Sequence, residues 1–518
     1  MSAPEDSAQI SGYLGHMAKG AMINFSGATV RTVLTYAYAL LLARVLPVNE
    51  FGDYFLIYVI ITILGVIGAV GLDYGVVRYI ALYVGEGDYR SARKSFRVGF
   101  AISVAAGVLI AVGVFLLSSR LSSLFMDGSP VAAKGLRVFA VAVPMLVAAR
   151  LGNAATLGMH RMAYQVYSRD MGEQSLRLLF SIIAVAIGTG FIGVVTANVM
   201  AIGIAMIMSL GFALLVLPRA TAGATTPVKP TLNMLRYSFP LAFSGILGVV
   251  LLWADMLMVG YLGTSSDAGF YGAAIRIGTA SASILVAFGT VFTPIISDLY
   301  NRNMAQELES LYKTVSRWVF ICSMPIFLVE ILFSEPIMRI FGSGFVAGSG
   351  ALTVLAIGQL INTSTGPAGI AVLMSGRSRL ELMNVAIVLV LDVVLCFILI
   401  PVYGVMGAAV ANTVCAVIIN IMRVLEVRMI MKMYPFDLNY SKPILAGGTA
   451  AVMTGLAGHL TSGNGSVARV VILIFGLLLI YVLGILVMGL DEKDRTVLRL
   501  VKEKLIGTNA LTPAHEED

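Results

Sequence analysis

Apolar residues run along this chain in long blocks, broken by short polar stretches. Fourteen blocks of span length occur, at about 18–46, 51–83, 96–118, 135–158, 166–188, 191–217, 233–261, 268–297, 315–341, 349–374, 380–401, 405–430, 443–461 and 467–490. About 20 apolar residues cross a bilayer as an α-helix, and lipid leaves the backbone of such a block no other fold. The pattern therefore predicts an all-α polytopic membrane protein with about 14 transmembrane helices. The expected outer loops stay within about twenty residues. Function is then expected between helices and not in an extramembrane domain.

The longest stretch rich in helix breakers is PRATAGATTPVKPTLN (218–233), with three prolines. Proline and glycine favour turns over helix, so 218–232 reads as a cytoplasmic linker between an N-terminal lobe (1–217) and a C-terminal lobe (233–430). The two lobes share a weak, ordered repeat. FGDY (51–54) returns as AGFY (268–271), and Leu82-Tyr83 as Leu299-Tyr300. Arg161 returns as Arg377, and Gly190-x-x-Gly193-x-x-x-Ala197-Asn198 as Gly404-x-x-Gly407-x-x-x-Ala411-Asn412. Each lobe holds six spans, so the second enters from the same side. That is a parallel repeat about an axis along the membrane normal. Residues 443–490 form an added helix pair. In 491–518, Leu498, Val501 and Leu505 fall at helical spacing among charges, as in an amphipathic helix on the cytoplasmic leaflet.

Composition agrees with the class. Of 518 residues, 58% are hydrophobic and 12% charged, with mean hydropathy +0.91; soluble proteins carry about 25% charged residues. Basic residues number 25 on the segments facing one side and six on the other. Lys and Arg mark the cytoplasmic side, which puts both termini in the cytoplasm of a plasma (inner) membrane protein. The net charge of +7 then reflects topology, and no nucleic-acid partner is expected. The N-terminus has no basic stretch before an apolar core and does not read as a cleaved signal. Cys322, Cys396 and Cys415 fall within spans without a CxxC pair and read as small packing residues. There is no metal-spaced His/Cys cluster, P-loop or nucleophile motif. The longest outer loop, SSRLSSLFMDGSPVAAKGLR (118–137), offers one Asp and no His or Glu. A membrane glycan polymerase or ligase would need reactive groups there, so an enzyme is not expected, nor a metal or organic cofactor.

Charges inside the spans stand out. A guanidinium near the bilayer centre costs roughly 2.5–3.5 kcal/mol on insertion scales, yet Arg31 sits within INFSGATVRTVLTYAYALLLARVLP (23–47). Asn24, Arg31 and Tyr38 are seven apart and share a helix face, as if lining a bundle interior. Asp73 and Arg78 lie on span two, Arg150 on span four and Arg276 on span eight. Asp73, Arg78 and Arg150 fit either ion pairs across helices or a binding site. Spans seven, nine and eleven instead carry Asp255, Glu330, Glu335 and Asp392; Glu335, before Pro336, and His160 read as interfacial. Arg31 and Arg276 have no acidic residue within a helical turn. Unpaired guanidinium groups in a low-dielectric cavity call for an anion, and their fork of donors suits phosphate.

FGDYFLIY (51–58), GLDYGVVRYIA (71–81), DAGFYGAAIRIG (267–278) and IPVYGVMGAAVANTV (400–414), on a two-fold six-span plan, resemble the multidrug/oligosaccharidyl-lipid/polysaccharide flippase superfamily. Within it the chain is most similar to the polysaccharide-unit (Wzx-type) flippases, over about residues 15–490. The resemblance implies two six-helix lobes alternately open to either side. It also implies a polyprenyl-pyrophosphate-linked oligosaccharide as substrate, and a polysaccharide polymerase or export machinery as partner of a monomer. Fourteen spans are similar to the lipid II (MurJ-type) flippases, whose cavity arginines on spans one, two and eight would correspond to Arg31, Arg78 and Arg276. A second-lobe cation site in such relatives would correspond to Asp255, Asn384, Asp392 and Asn412, with Glu330 added here as a nearby acid; sodium or protons would be the coupling ion. The substrate set is then Arg31, Arg276, Arg78, Arg150, Asn24 and Tyr38. The alternatives are a cation-coupled multidrug exporter, whose cationic cargo a basic cavity would repel, and a lipid II flippase.

Overall fold

A computed structural model describes residues 26–217, 232–460 and 467–489. The expected amphipathic tail, nearly all of the linker and Asn24 lie outside the described residues. Every regular element among them is helical. In order they are α1 (26–45), α2 (Val48–Ala69), α3 (Leu72–Gly85), α4 (Tyr89–Phe125), α5 (Pro130–Ala140), α6 (Ala142–Gly158) and α7 (Ala163–Gln165). A π-helical stretch, Val166–Glu173, leads into α8 (Gln174–Ala186) and α9 (Gly190–Val216). Then come α10 (Leu232–Leu262), α11 (Ser265–Gly278), α12 (Ala282–Asn301), α13 (Ala305–Leu332), α14 (Ser334–Phe341), α15 (Ser349–Ser364) and α16 (Ala368–Met374). Last are α17 (Ser378–Tyr403), α18 (Val405–Met431), α19 (Ser441–Leu460) and α20 (Val467–Met488). Ten described segments are long and apolar enough to cross a membrane, and eleven if α11 and the first part of α12, bent by 45°, count as one.

Several expected spans are broken, and each break has a local cause. Span two divides at Val70 and Gly71, both with positive φ (51° and 68°), which ends α2 and restarts the chain as α3. A side chain at Gly71 would also meet the Ser238 carbonyl at 2.4 Å. Span ten divides at Gly366 and Pro367, and the carbonyls freed there are capped by phenols: the Tyr440 hydroxyl donates to the Ser364 oxygen and Tyr312 to Thr365, both at 3.1 Å. Within a bilayer such carbonyls have no water to turn to. Span three runs longer than its apolar block, because Asp88 caps α4 at the Ser91 amide.

The described helices pack as two units. The first holds the described residues of 26–279, 334–358 and 377–419, and the second those of 280–333, 359–376 and 420–489. In the first unit α2 and α11 meet backbone to backbone. A Cβ on Gly52 would lie 2.0 Å from the Ser265 carbonyl, and one on Gly269 2.3 Å from that of Val48. These glycines are the repeat partners in FGDY and AGFY. The Ser265 hydroxyl donates to Asp53 at 2.6 Å and its amide to Asp127 at 2.7 Å, fixing the start of α11.

In the second unit Pro325 interrupts α13. Proline has no N–H to give the carbonyl four residues back, here that of Ile321. The Tyr481 hydroxyl of α20 donates to that oxygen at 2.9 Å. The added pair closes on itself where Gly484 meets Ala446, and Gly447 meets Met324 of α13. Arg317, 3% exposed, pairs with Asp437 at 2.9 Å and ties α13 to the segment before α19.

Candidate functional site

Most intramembrane arginines of the first unit fall into separate ion pairs. Arg31 on α1 pairs with Asp170 at 3.1 Å, its side chain still 37% exposed. Arg150 on α6 pairs with Asp73 on α3 at 2.7 Å and is 38% exposed. The expectation of an unpaired Arg31 is thus corrected. Its carboxylate comes from 139 residues away, so inspection of one helical turn missed it. Arg78 is exposed and lies over the Tyr237 ring at 4.2 Å. Tyr38 is buried, and its hydroxyl donates to Tyr54 at 2.7 Å.

Sequence reasoning also missed Arg177, which it placed with the cytoplasmic charges. The guanidinium is buried, pairs with Glu173 at 2.6 Å, and lies 5.2 Å from the Tyr58 ring and 5.7 Å from that of Tyr38. Asp170 and Glu173 both belong to the π-helical stretch, a form enriched at functional positions. It is held by Ser168, which donates to Asn153 at 2.8 Å, while Ser209 of α9 donates to the same oxygen at 3.0 Å. The spacing of Asp170, Glu173 and Arg177 in YSRDMGEQSLR was the available signal.

Arg276 on α11 differs from the other three. Its guanidinium stacks on Phe55 at 5.1 Å, and no carboxylate among the described residues pairs with it; its buried Nε, like those of Arg150 and Arg177, has no hydrogen-bond partner there. Tyr58 and Arg177 both lie near enough to act on it electrostatically. Arg31, Arg150 and Arg177 thus each pair with one carboxylate, of Asp170, Asp73 and Glu173 in turn, and Arg276 with none among the described residues.

The first unit also holds an acidic node. The Asp255 carboxylate of α10 accepts from the Tyr271 hydroxyl, from Asn412 Nδ2 at 2.9 Å and from the Met256 amide at 2.7 Å. Asp392 is 3% exposed and close enough to Asp255 to feel its charge; Cys396 Sγ donates to one of its oxygens at 3.9 Å and the other has no partner among the described residues. Asn384, Val388, Asp392, Cys396 and Ile400 are all buried at intervals of four, so Asn384 and Asp392 share a face of α17. Glu330 is not with them: it belongs to the second unit, on α13.

The basic and acidic nodes are repeats of one another. Tyr38, Tyr54 and Asn198 stand 217, 217 and 214 residues before Asp255, Tyr271 and Asn412. Asn198 Nδ2 donates to the Tyr54 hydroxyl as Asn412 does to Asp255 beside Tyr271. Arg177 and Asp392 are offset by 215, as are buried Ser181 and Cys396 one turn on. The same scaffold carries a guanidinium in one repeat and a second carboxylate in the other.

The model of a family described as polysaccharide biosynthesis protein matches residues 17–300, more than half of the chain. The chain belongs to the polysaccharide biosynthesis protein family. A second family model, MatE, matches residues 240–398. Among the relatives of this chain, one from Haloferax volcanii, named probable low-salt glycan biosynthesis flippase Agl15, is 28% identical over 36% of the chain and 39% of its own length. The succinoglycan biosynthesis transport protein ExoT of Rhizobium meliloti is 25% identical over 62% of each. The chain thus spans about two fifths to three fifths of the length of these relatives. Its fold is similar to that of the lipid II flippase MurJ in an inward closed conformation, with TM-score 0.70, 15% identity, and 89% of this chain and 98% of that one covered. It is also similar to an inward-facing multidrug resistance MATE family transporter of the MOP superfamily, with TM-score 0.65, 16% identity, and 80% and 98% covered. Both likenesses concern the fold alone.

Proposed function

We propose that this chain is a flippase that moves a polyprenyl-diphosphate-linked oligosaccharide from the cytoplasmic to the outer leaflet by alternating access. The observation that carries the reading is Arg276, a guanidinium within the first unit that no carboxylate among the described residues pairs with. Burying an uncompensated charge is costly, and a diphosphate is the counter-charge that its donor fork fits. Arg31 and Arg150, partly exposed although paired, would meet the same headgroup at its polar side, and Arg177 adds charge from behind Tyr58. The prenyl tail stays in lipid, since removing it would cost about 0.8 kcal/mol per CH₂. The family and the names of the two relatives, a glycan biosynthesis flippase and a succinoglycan transport protein, support a glycan cargo.

Energy for the cycle would come from a cation, sodium or a proton, at Asp255, Asp392 and Asn412. Support comes from the charge inversion between repeats: where the first repeat has the guanidinium of Arg177, the second has the carboxylate of Asp392 at the matching position, close to Asp255, and no cation among the described residues pairs with either acid. A bound ion shifts the balance of states only by its differential affinity for them, which a carboxylate pair that rearranges would supply. The reading includes a plasma membrane location with cytoplasmic termini, a monomer, and a polymerase or export system taking the product.

The test uses the purified full-length chain in vesicles carrying a polyprenyl-diphosphate oligosaccharide or lipid II, with leaflet exposure read by a membrane-impermeant lectin or glycosidase. Faster exposure of the oligosaccharide lipid than in protein-free vesicles is expected. Faster movement of lipid II alone would shift the cargo to the peptidoglycan precursor, and movement of neither would overturn the reading.

A further inference from the structure

Helix α13 carries a polar stripe that neither site uses. Ser316, Ser323 and Glu330 are seven apart, so they share one face, and all three are buried. Ser323 Oγ and both carboxylate oxygens of Glu330 have no hydrogen-bond partner among the described residues, and neither has Thr454 Oγ1 on the adjoining helix α19. Glu330 is 3% exposed. In the first repeat the matching position falls at Gly113 or Val114, neither of them ionisable.

Among the described residues no cation pairs with Glu330. Among the described residues, the helices that pack most extensively on α13 are α12, α19 and α20, and their charged groups have partners other than Glu330. Asp298 pairs with Arg302, Lys442 donates to the Gly489 carbonyl, Arg469 donates to the Gly458 carbonyl, and Tyr481 donates to Ile321. His459 has a partner of its own. On α13 itself, Lys313 pairs with Glu309 and Arg317 with Asp437. An ionised carboxylate buried here, with no paired cation among the described residues, would be costly.

We propose that Glu330 is a proton-binding site within the membrane, carrying its proton in the resting chain and exchanging it with water along the hydroxyl face of α13. The chemistry is a simple equilibrium, carboxylic acid to carboxylate plus a proton. Ser323 and Thr454 supply donors and acceptors that can hold a transient water chain, and Ser316 lies about 21 Å down the helix from Glu330 at 1.5 Å per residue. The proposal stands on the burial of one side chain and does not depend on the cargo.

Dicyclohexylcarbodiimide in lipid vesicles tests it, because the reagent partitions into the bilayer and attacks carboxylic acids in their protonated form. Peptide mass spectrometry of the modified wild-type chain should find the adduct on Glu330, forming more slowly as pH is raised. No adduct on Glu330 at any pH, or a rate indifferent to pH, would overturn the proposal. A second reading compares thermal unfolding of wild type and Glu330→Gln. Raising the pH should lower the melting temperature of the wild type more than that of the variant, since only the wild type must lose a proton. Equal pH dependence would also count against it.

Discussion

Asn198 and Asn412 stand at matching places in the two repeats, and each donates its side-chain amide into a buried pair. The first pair is Tyr38 with Tyr54, and the second is Asp255 with Tyr271. Buried polar groups are held in this way because leaving one unsatisfied costs about 1–3 kcal/mol. Tyr54→Phe removes the hydroxyl that Asn198 and Tyr38 share. We expect a lower melting temperature for the detergent-solubilised protein, and little change for Tyr74→Phe, whose ring is exposed.

Arg177 and Glu173 give a second expectation. Breaking a buried ion pair from one side strands the other charge and costs about 3–5 kcal/mol, whereas removing both is far better tolerated. Arg177→Met should therefore reduce folded yield sharply, and Arg177→Met with Glu173→Gln should recover much of it. Folded yield is read by size-exclusion profile.

Arg31 and Asp170 are more exposed, so their coupling should be smaller, on the order of 1 kcal/mol. A double-mutant cycle of Arg31→Ala and Asp170→Ala, followed by thermal unfolding, should show the double variant less destabilised than the sum of the singles. Strict additivity would mean that the two side chains do not interact.

Gly52 tests the α2–α11 contact. A methyl group there would overlap the Ser265 carbonyl at 2.0 Å, and backbone cannot move aside as a flexible side chain can. Gly52→Ala should lower thermal stability markedly. Gly113→Ala, with nothing within 4 Å, should leave it unchanged.

Much of this was legible in the sequence. The class followed from apolar block lengths, and the repeat from four offsets, two of which, FGDY/AGFY and Ala197-Asn198/Ala411-Asn412, turned out to mark the matched buried nodes. What was hidden was long-range. The partner of Arg31 comes from a segment that reads as the start of another span. Arg177 looks like one more cytoplasmic charge until the π-helical stretch turns it inward against Tyr58. The breaks at Val70–Gly71 and Gly366–Pro367 lie inside continuous apolar blocks, and hydropathy does not register a change of backbone hand. Glu330 was grouped with Asp255 because both are acids in the second lobe, whereas packing assigns them to different units.

The proposed role of Arg276 is to receive the diphosphate through a guanidinium that no described carboxylate pairs with. Titrating purified wild type, Arg276→Ala and Arg276→Lys with a polyprenyl diphosphate in lipid nanodiscs addresses it most directly. Arg276→Ala should lose at least tenfold in affinity, about 1.4 kcal/mol, with Arg276→Lys retaining part of it and the loss shrinking at high salt. Equal affinity in all three proteins would contradict it.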